Sequence, residues 1–196
     1  PILWADPARE AAFQAWLAAT AAAHGLIAGS VRAASADASF RRYFRADRAD
    51  GTGHRIIMDA PPDKENCQPF VQVAGLLQAA GLRVPEILAW DAPQGFMLLS
   101  DLGAQTMIEV VDRDRPQANL GLYQQAVGIL VDWQRASRPG VLPAYDEALL
   151  QRELGLFPEW YVQRHRGLAL DDTQQATLQT TFQTLVAHNL SAPSVY

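Results

Sequence analysis

The spacing of hydrophobic positions changes rhythm along this chain. From Pro7 to about His24 they recur at helical spacing, with Phe13, Trp16 and Leu17 on one face. Asp6 is placed to cap that helix, Pro7 takes its first position and Gly25 is placed to stop it. Short apolar runs separated by turn residues follow. Ser30 to Ala34 reads as a short strand. In Phe40 to Arg45 a period of two puts Phe40, Arg42 and Phe44 on one face and Arg41, Tyr43 and Arg45 on the other. Asp50-Gly51-Thr52-Gly53 is a turn, and Arg55 to Met58 is the returning strand of a hairpin. Phe70, Val73, Ala74 and Leu77 predict a helix from about Pro69 to Ala80, closed by Gly81. Glu86 to Trp90 and Phe96 to Leu99 then flank Asp91-Ala92-Pro93-Gln94-Gly95 as a second hairpin.

After residue 103 the period-two pattern ceases. Tyr123, Ala126, Val127, Leu130 and Trp133 form one helical stripe. Leu150, Leu154, Phe157 and Tyr161 form a second, in which Pro158 predicts a kink, and Leu178, Phe182 and Leu185 a third. Strands grouped with one helix, then helices alone, predict an α+β arrangement of two lobes, 1–103 and 104–196.

Composition narrows this picture. With 49% hydrophobic and 19% charged residues in 196, there is apolar material for a real core, which excludes disorder and a disulfide mini-scaffold. A net charge of −5 with no block of like charge argues against a nucleic-acid partner. One cysteine, Cys67, forbids an internal disulfide. No apolar run is long enough to span a membrane, so a cytoplasmic protein without a membrane partner is the expectation.

Candidate chemistry is sparse by spacing alone. Ser35-Ala36-Asp37-Ala38-Ser39 lies between two strands. Its small residues let backbone N–H groups approach a phosphate, and they equally suit an ordinary turn. No glycine is present in it, so neither a Walker loop nor a dinucleotide fingerprint exists. Leu99-Ser100-Asp101 ends an apolar strand at the lobe boundary, where exposed backbone groups suit a purine edge or simply a turn. His24, His54, His165 and His188 lack metal-ligand spacing. No nucleophile–base pair stands out.

Longer segments carry a resemblance. Ser35 to Arg45, Met58-Asp59-Ala60-Pro61-Pro62-Asp63-Lys64-Glu65, Gly81 to Ala89, Gly95 to Gly103, Tyr145-Asp146 and Glu153 to Tyr161 are together similar to the aminoglycoside phosphotransferase family, in that order and spacing. Within it they most resemble the anomeric amino-sugar kinases of cell-wall recycling, which act on N-acetylmuramate and N-acetylglucosamine. The resemblance implies a protein-kinase-like fold, with an N-terminal lobe built on a five-stranded antiparallel sheet and one helix, and the start of a helical C-terminal lobe. It implies ATP and Mg²⁺ as cofactors and a small-molecule sugar as substrate; oligomeric state is left open. Ser35, Asp37 and Ser39 would cover the phosphates, and Leu99, Ser100 and Asp101 would form the hinge whose backbone meets adenine. Glu153, Trp160 and Tyr161 would contact the sugar.

Two departures accompany it. The family's basic residue on the third strand corresponds to Met58-Asp59, where Asp59 has the opposite sign. Lys64, with Glu65 as its partner, is the nearest replacement, or else a solvated loop charge. The family's His-x-Asp catalytic loop and metal-binding aspartate have no match in residues 1–196. Ser191 to Tyr196 resembles the approach to that loop. The expectation is therefore a portion of a kinase with neither catalytic base nor metal ligand of its own, inactive alone. A kinase for another hydroxylated metabolite (an aminoglycoside, choline or a homoserine-like compound) and a nucleotide-binding pseudokinase are the alternatives.

Overall fold

The computed structural model describes residues 2–36 and 39–191, with Ala36 described by its backbone alone. Asp37, and the segment 192–196, lie outside the described residues. The chain divides into two compact units, Pro1–Ile129 and Leu130–Tyr196.

In the first unit, helix α1 (Pro7–His24) begins where the Asp6 carboxylate accepts a 2.9 Å bond from the Ala8 N–H. It stops at Gly25, whose φ of 61° is the left-handed conformation that glycine takes without steric cost. Five strands follow: β1 (Arg32–Ala36), β2 (Arg42–Asp47), β3 (His54–Asp59), β4 (Ile87–Asp91) and β5 (Phe96–Ser100). They form one sheet in the order β1-β2-β3-β5-β4, with every neighbour antiparallel. Helix α2 (Gln68–Ala79) lies between β3 and β4 in sequence. The predicted order of elements holds, with strand ends moved by one or two residues and β1 preceded by a 3-10 turn at Ala28–Ser30. The α+β architecture with a five-stranded antiparallel sheet is therefore established. The sheet ends at Ser100, just short of the expected change near Gly103, while the first compact unit runs on to Ile129.

The sheet has two different faces because the period of two sorts its residues. On one, Phe44, Ala46, Ile57, Phe96 and Leu98 pack against Phe13, Leu17 and Ala21 of α1. Phe13 is fully buried, with ring centroids of Trp4, Trp16, Phe44 and Phe96 between 5.0 and 6.3 Å away. On the other, Tyr43, Ile56, Met58, Met97 and Leu99 pack with Cys67, Phe70 and Val71 at the start of α2. Each face buries large side chains worth roughly 1.5–3 kcal/mol apiece. A short helix α3 (Met107–Val110), capped reciprocally by Thr106 and Glu109, follows the sheet. Helix α4 (Leu120–Ala136) crosses the division between the units, and its Tyr123, Val127 and Leu130 are exposed.

The second unit holds α5 (Glu147–Leu156) and α6 (Asp172–Leu190), started by Asp146 and Asp171 as N-caps. Its buried residues are Leu150, Val162, Phe182 and Val186. In α6 the buried pair is thus Phe182 and Val186, four apart, while Leu185 of the predicted stripe is exposed. Pro158 does not kink a continuous α-helix. The chain changes to π-helical winding from Phe157 to His165, with Pro158 in the first turn, where its missing N–H is tolerated.

Candidate functional site

The face of the sheet shared with α2 opens into a cleft of about 490 Å³. Ala34 and Ser35 of β1, Tyr43 and Arg45 of β2 and Ile56 of β3 supply one wall. Phe70, Pro85 and Leu99 add apolar surface, and Ser100 to Thr106 with Glu109 form its rim. An apolar slot bordered by the main chain of a strand end is the kind of site that takes a flat heteroaromatic ring and offers it backbone hydrogen bonds.

The rim is held by charge. Arg45 Nε donates to Asp101 Oδ2 at 2.7 Å, and Nη2 donates to the Gly103 carbonyl at 3.1 Å. The Gly103 N–H donates to Asp101 Oδ1 at 2.8 Å. Burial disfavours the charged form of Asp101, but the Arg45 and Gly103 hydrogen bonds and the Arg45 charge outweigh it, so the carboxyl titrates below its ordinary range. Ser100 Oγ accepts from the Glu86 N–H, and the Ser100 N–H donates to the Glu86 carbonyl, both at 2.9 Å. The side chains of Ser100 and Asp101, and the Ser100 N–H, are thus engaged within the protein. The Thr106 N–H donates to Glu109 at 2.6 Å, and that bond, followed by the Thr106 hydroxyl, lowers the Glu109 pKa.

Of the expected phosphate loop, Ser35 lines the cleft and Ser39 Oγ accepts from the Arg41 N–H at 3.1 Å. Asp37 lies outside the described residues. The reading of Asp59 as a reversed charge in the cleft is corrected. Asp59 sits on the opposite face, fully buried, and receives Arg9 Nη2 at 2.6 Å and Arg42 Nε at 2.9 Å. The residue that shares the cleft-side face with Ile56 is Met58, also fully buried. Adjacent strand residues point to opposite sides, and the expected position spanned two of them. The pairing of Lys64 with Glu65 is corrected as well. Lys64 is half exposed and 3.5 Å from Asp63. Glu65 instead accepts from the Phe40 N–H at 3.0 Å and lies 3.1 Å from Arg41 Nε.

The expected sugar contacts belong to the second unit. Glu153 pairs with Arg152 at 2.9 Å. Trp160 is half exposed with the Arg164 guanidinium 4.3 Å over its ring, and Tyr161 stacks between Phe157 and His165. None of the three lines the apolar groove made by Phe157, Val162, Leu168, Leu170, Thr177 and Leu178 in the same unit. Sequence reasoning passed over Tyr43, Arg45, Phe70, Pro85 and Glu109 as cleft residues. The alternation that grouped Tyr43 with Arg45 carried part of that signal.

The model of the phosphotransferase enzyme family matches residues 30–195. The N-acetylmuramate/N-acetylglucosamine kinase of Pseudomonas putida is 49% identical over 169 residues, covering 86% of this chain and 48% of the relative. That of Pseudomonas aeruginosa is 48% identical over 163 residues, 83% of this chain and 47% of the relative. The protein of the same name from Neisseria meningitidis serogroup B is 42% identical over 164 residues, 83% and 48% respectively. The chain spans about half the length of the curated relatives it matches. With a cleft on one face of a five-stranded sheet and a family match over most of its length, the chain belongs to the phosphotransferase enzyme family.

Proposed function

We propose that the full-length protein transfers the γ-phosphate of ATP to the anomeric hydroxyl of N-acetylmuramate or N-acetylglucosamine. The observation that carries this reading is identity of 42–49% to kinases of that name, across the residues that build the cleft. Adenine would lie between Ile56 and Phe70 against the Leu99-Ser100-Asp101 main chain. Its triphosphate would point toward Ser35 to Ser39, Asp37 included. Phosphoryl transfer rests on positioning and charge neutralisation more than on covalent chemistry, so a rigid hinge and a loop of small residues are fitting parts. Glu153, Trp160 and Tyr161 remain the proposed sugar contacts, and ATP as donor puts the reaction in the cytoplasm.

Mg²⁺ would accompany ATP. Among the described residues no group of three or more His, Cys, Asp or Glu side chains could hold a metal ion, and no step is assigned to it. The apolar Met58 on the cleft side favours a second reading, a nucleotide-binding protein without transfer.

The test is phosphate transfer from [γ-³²P]ATP by the full-length protein. Acceptors are the two amino sugars, an aminoglycoside, choline and homoserine. Label on the amino sugars alone is the expected result. Transfer to another acceptor instead overturns the substrate, and ATP binding without transfer to any acceptor supports the second reading.

A further inference from the structure

A triphosphate brings three to four negative charges into the cleft, and the third strand lines it with Ile56 rather than a cation. We propose that Arg41, oriented by Glu65, is the residue that takes the phosphates. The proposal rests on the reading that the cleft holds ATP.

The strand geometry selects Arg41. Tyr43 and Arg45 of β2 line the cleft, and the alternation that spaces such residues by roughly 6.6 Å puts Arg41, just before the strand, on the same side, where it meets Glu65. Arg45 stands at the hinge end, where Asp101 and the Gly103 carbonyl occupy its guanidinium. Tyr43 lines the middle of the cleft. Arg41 precedes β2 at the end away from Arg45, next to the residues that line the cleft, and its own N–H donates to Ser39 Oγ. A nucleotide with its base at the hinge points its phosphates to that end.

The state of Arg41 suits an incoming anion. Its Nε lies 3.1 Å from Glu65 Oε2, yet that nitrogen is buried without a well-formed hydrogen bond. Among the described residues, Nη1 and Nη2 have no hydrogen-bond partner. The guanidinium is thus held in place by charge while its directional donors stay unused, and a planar fork of N–H groups matches phosphate oxygens. Glu65 is nearly buried and also receives the Phe40 N–H, so one carboxylate fixes both the end of the loop and the cation next to it. Lys64 has neither property: it is half exposed, on a loop, and paired with Asp63. Arg42, next in sequence, faces the other way, with its guanidinium bonded to Asp59 and to the Leu3 carbonyl.

Calorimetric titration of the full-length protein with Mg-ATP and with adenosine tests this. Losing one charge-assisted contact predicts that Arg41→Ala weakens ATP binding by about tenfold or more, while adenosine affinity stays within about twofold. Glu65→Gln should weaken ATP by less, and Arg41→Lys should recover part of the loss, which separates a phosphate contact from a folding defect. Melting temperatures of the same samples confirm that each variant is folded. ATP affinity reduced less than about fivefold in Arg41→Ala, equal losses for ATP and adenosine, or a larger cost from Lys64→Ala overturns the role of Arg41. If the unaltered protein binds adenosine and ATP not at all, the reading of the cleft as an ATP site fails with it.

Discussion

The two faces of the same five strands do different work with the same residue types. On the α1 face the buried charge is spent on packing. Asp59 is buried between Arg9 and Arg42, while Arg9 lies 3.9 Å over the Phe96 ring and Arg42 lies 4.0 Å over the Trp4 ring. Further bonds run from Arg9 to the Gln94 carbonyl and from Arg42 to the Leu3 carbonyl, tying the N-terminal segment to the sheet. On the α2 face the Arg45–Asp101 pair rims the cleft, while Arg41, just before β2 and beside Glu65, keeps unused donors. A charge whose hydrogen-bonding capacity is exhausted inside the fold reads as structural; one held in place with donors to spare reads as prepared for a ligand.

The strongest way to break this comparison is to attack the α1 face. Removing one member of a buried ion pair leaves its partners uncompensated, so Asp59→Ala should lower stability by about 3–5 kcal/mol in denaturant unfolding. A loss under about 1 kcal/mol would mean the triad is ornamental and the contrast is false. Next comes Gly95, in the β4–β5 turn, with φ of 69° and only 2.0 Å between an added Cβ and the Ala60 carbonyl oxygen. Gly95→Ala should cost about 1–3 kcal/mol from backbone strain alone, with further cost as Ala60 moves. Thermal melts would show it, and a neutral result would dissociate the turn from the sheet.

The rim around Asp101 gives a smaller and pH-dependent effect. Asp101 titrates below its usual range in the folded protein, so its contribution is complete above the unfolded value of about 3.9 and fades as pH falls through the folded value. The stability gap between the unaltered protein and Asp101→Asn should be constant from pH 5 to 8 and shrink only below about pH 4. A gap that changes near neutrality would point to another titrating group. ATP affinity should fall severalfold in the same variant, because the carboxylate anchors the Gly103 amide at the rim.

Much of the fold was legible because strands and helices announce themselves through spacing and punctuation. Asp6-Pro7 and Gly25 bounded α1, and the Asp50 to Gly53 turn located the first hairpin. What could not be read were choices of partner across long separations. Arg45 meets Asp101 56 residues away, and Arg9 meets Asp59 across 50. Nor could spacing decide which of Met58 and Asp59 faces the cleft, since a one-residue shift in register exchanges the two faces of a strand. In sequence Lys64 is the obvious partner of its neighbour Glu65; folding brings Arg41 instead. Val186 in place of Leu185 is the same kind of error on a helix, where one residue turns a side chain by about 100°.

Arg41 and Arg42 carry the central contrast in two adjacent residues. The most direct test makes Arg41→Ala and Arg42→Ala in the full-length protein and measures melting temperature and Mg-ATP affinity on each. The account predicts a crossed result: Arg42→Ala melts several degrees lower with ATP affinity unchanged, and Arg41→Ala melts nearly normally with ATP bound about tenfold or more weakly. If both variants lose stability and affinity in parallel, the two faces are not separate in function and the account is wrong.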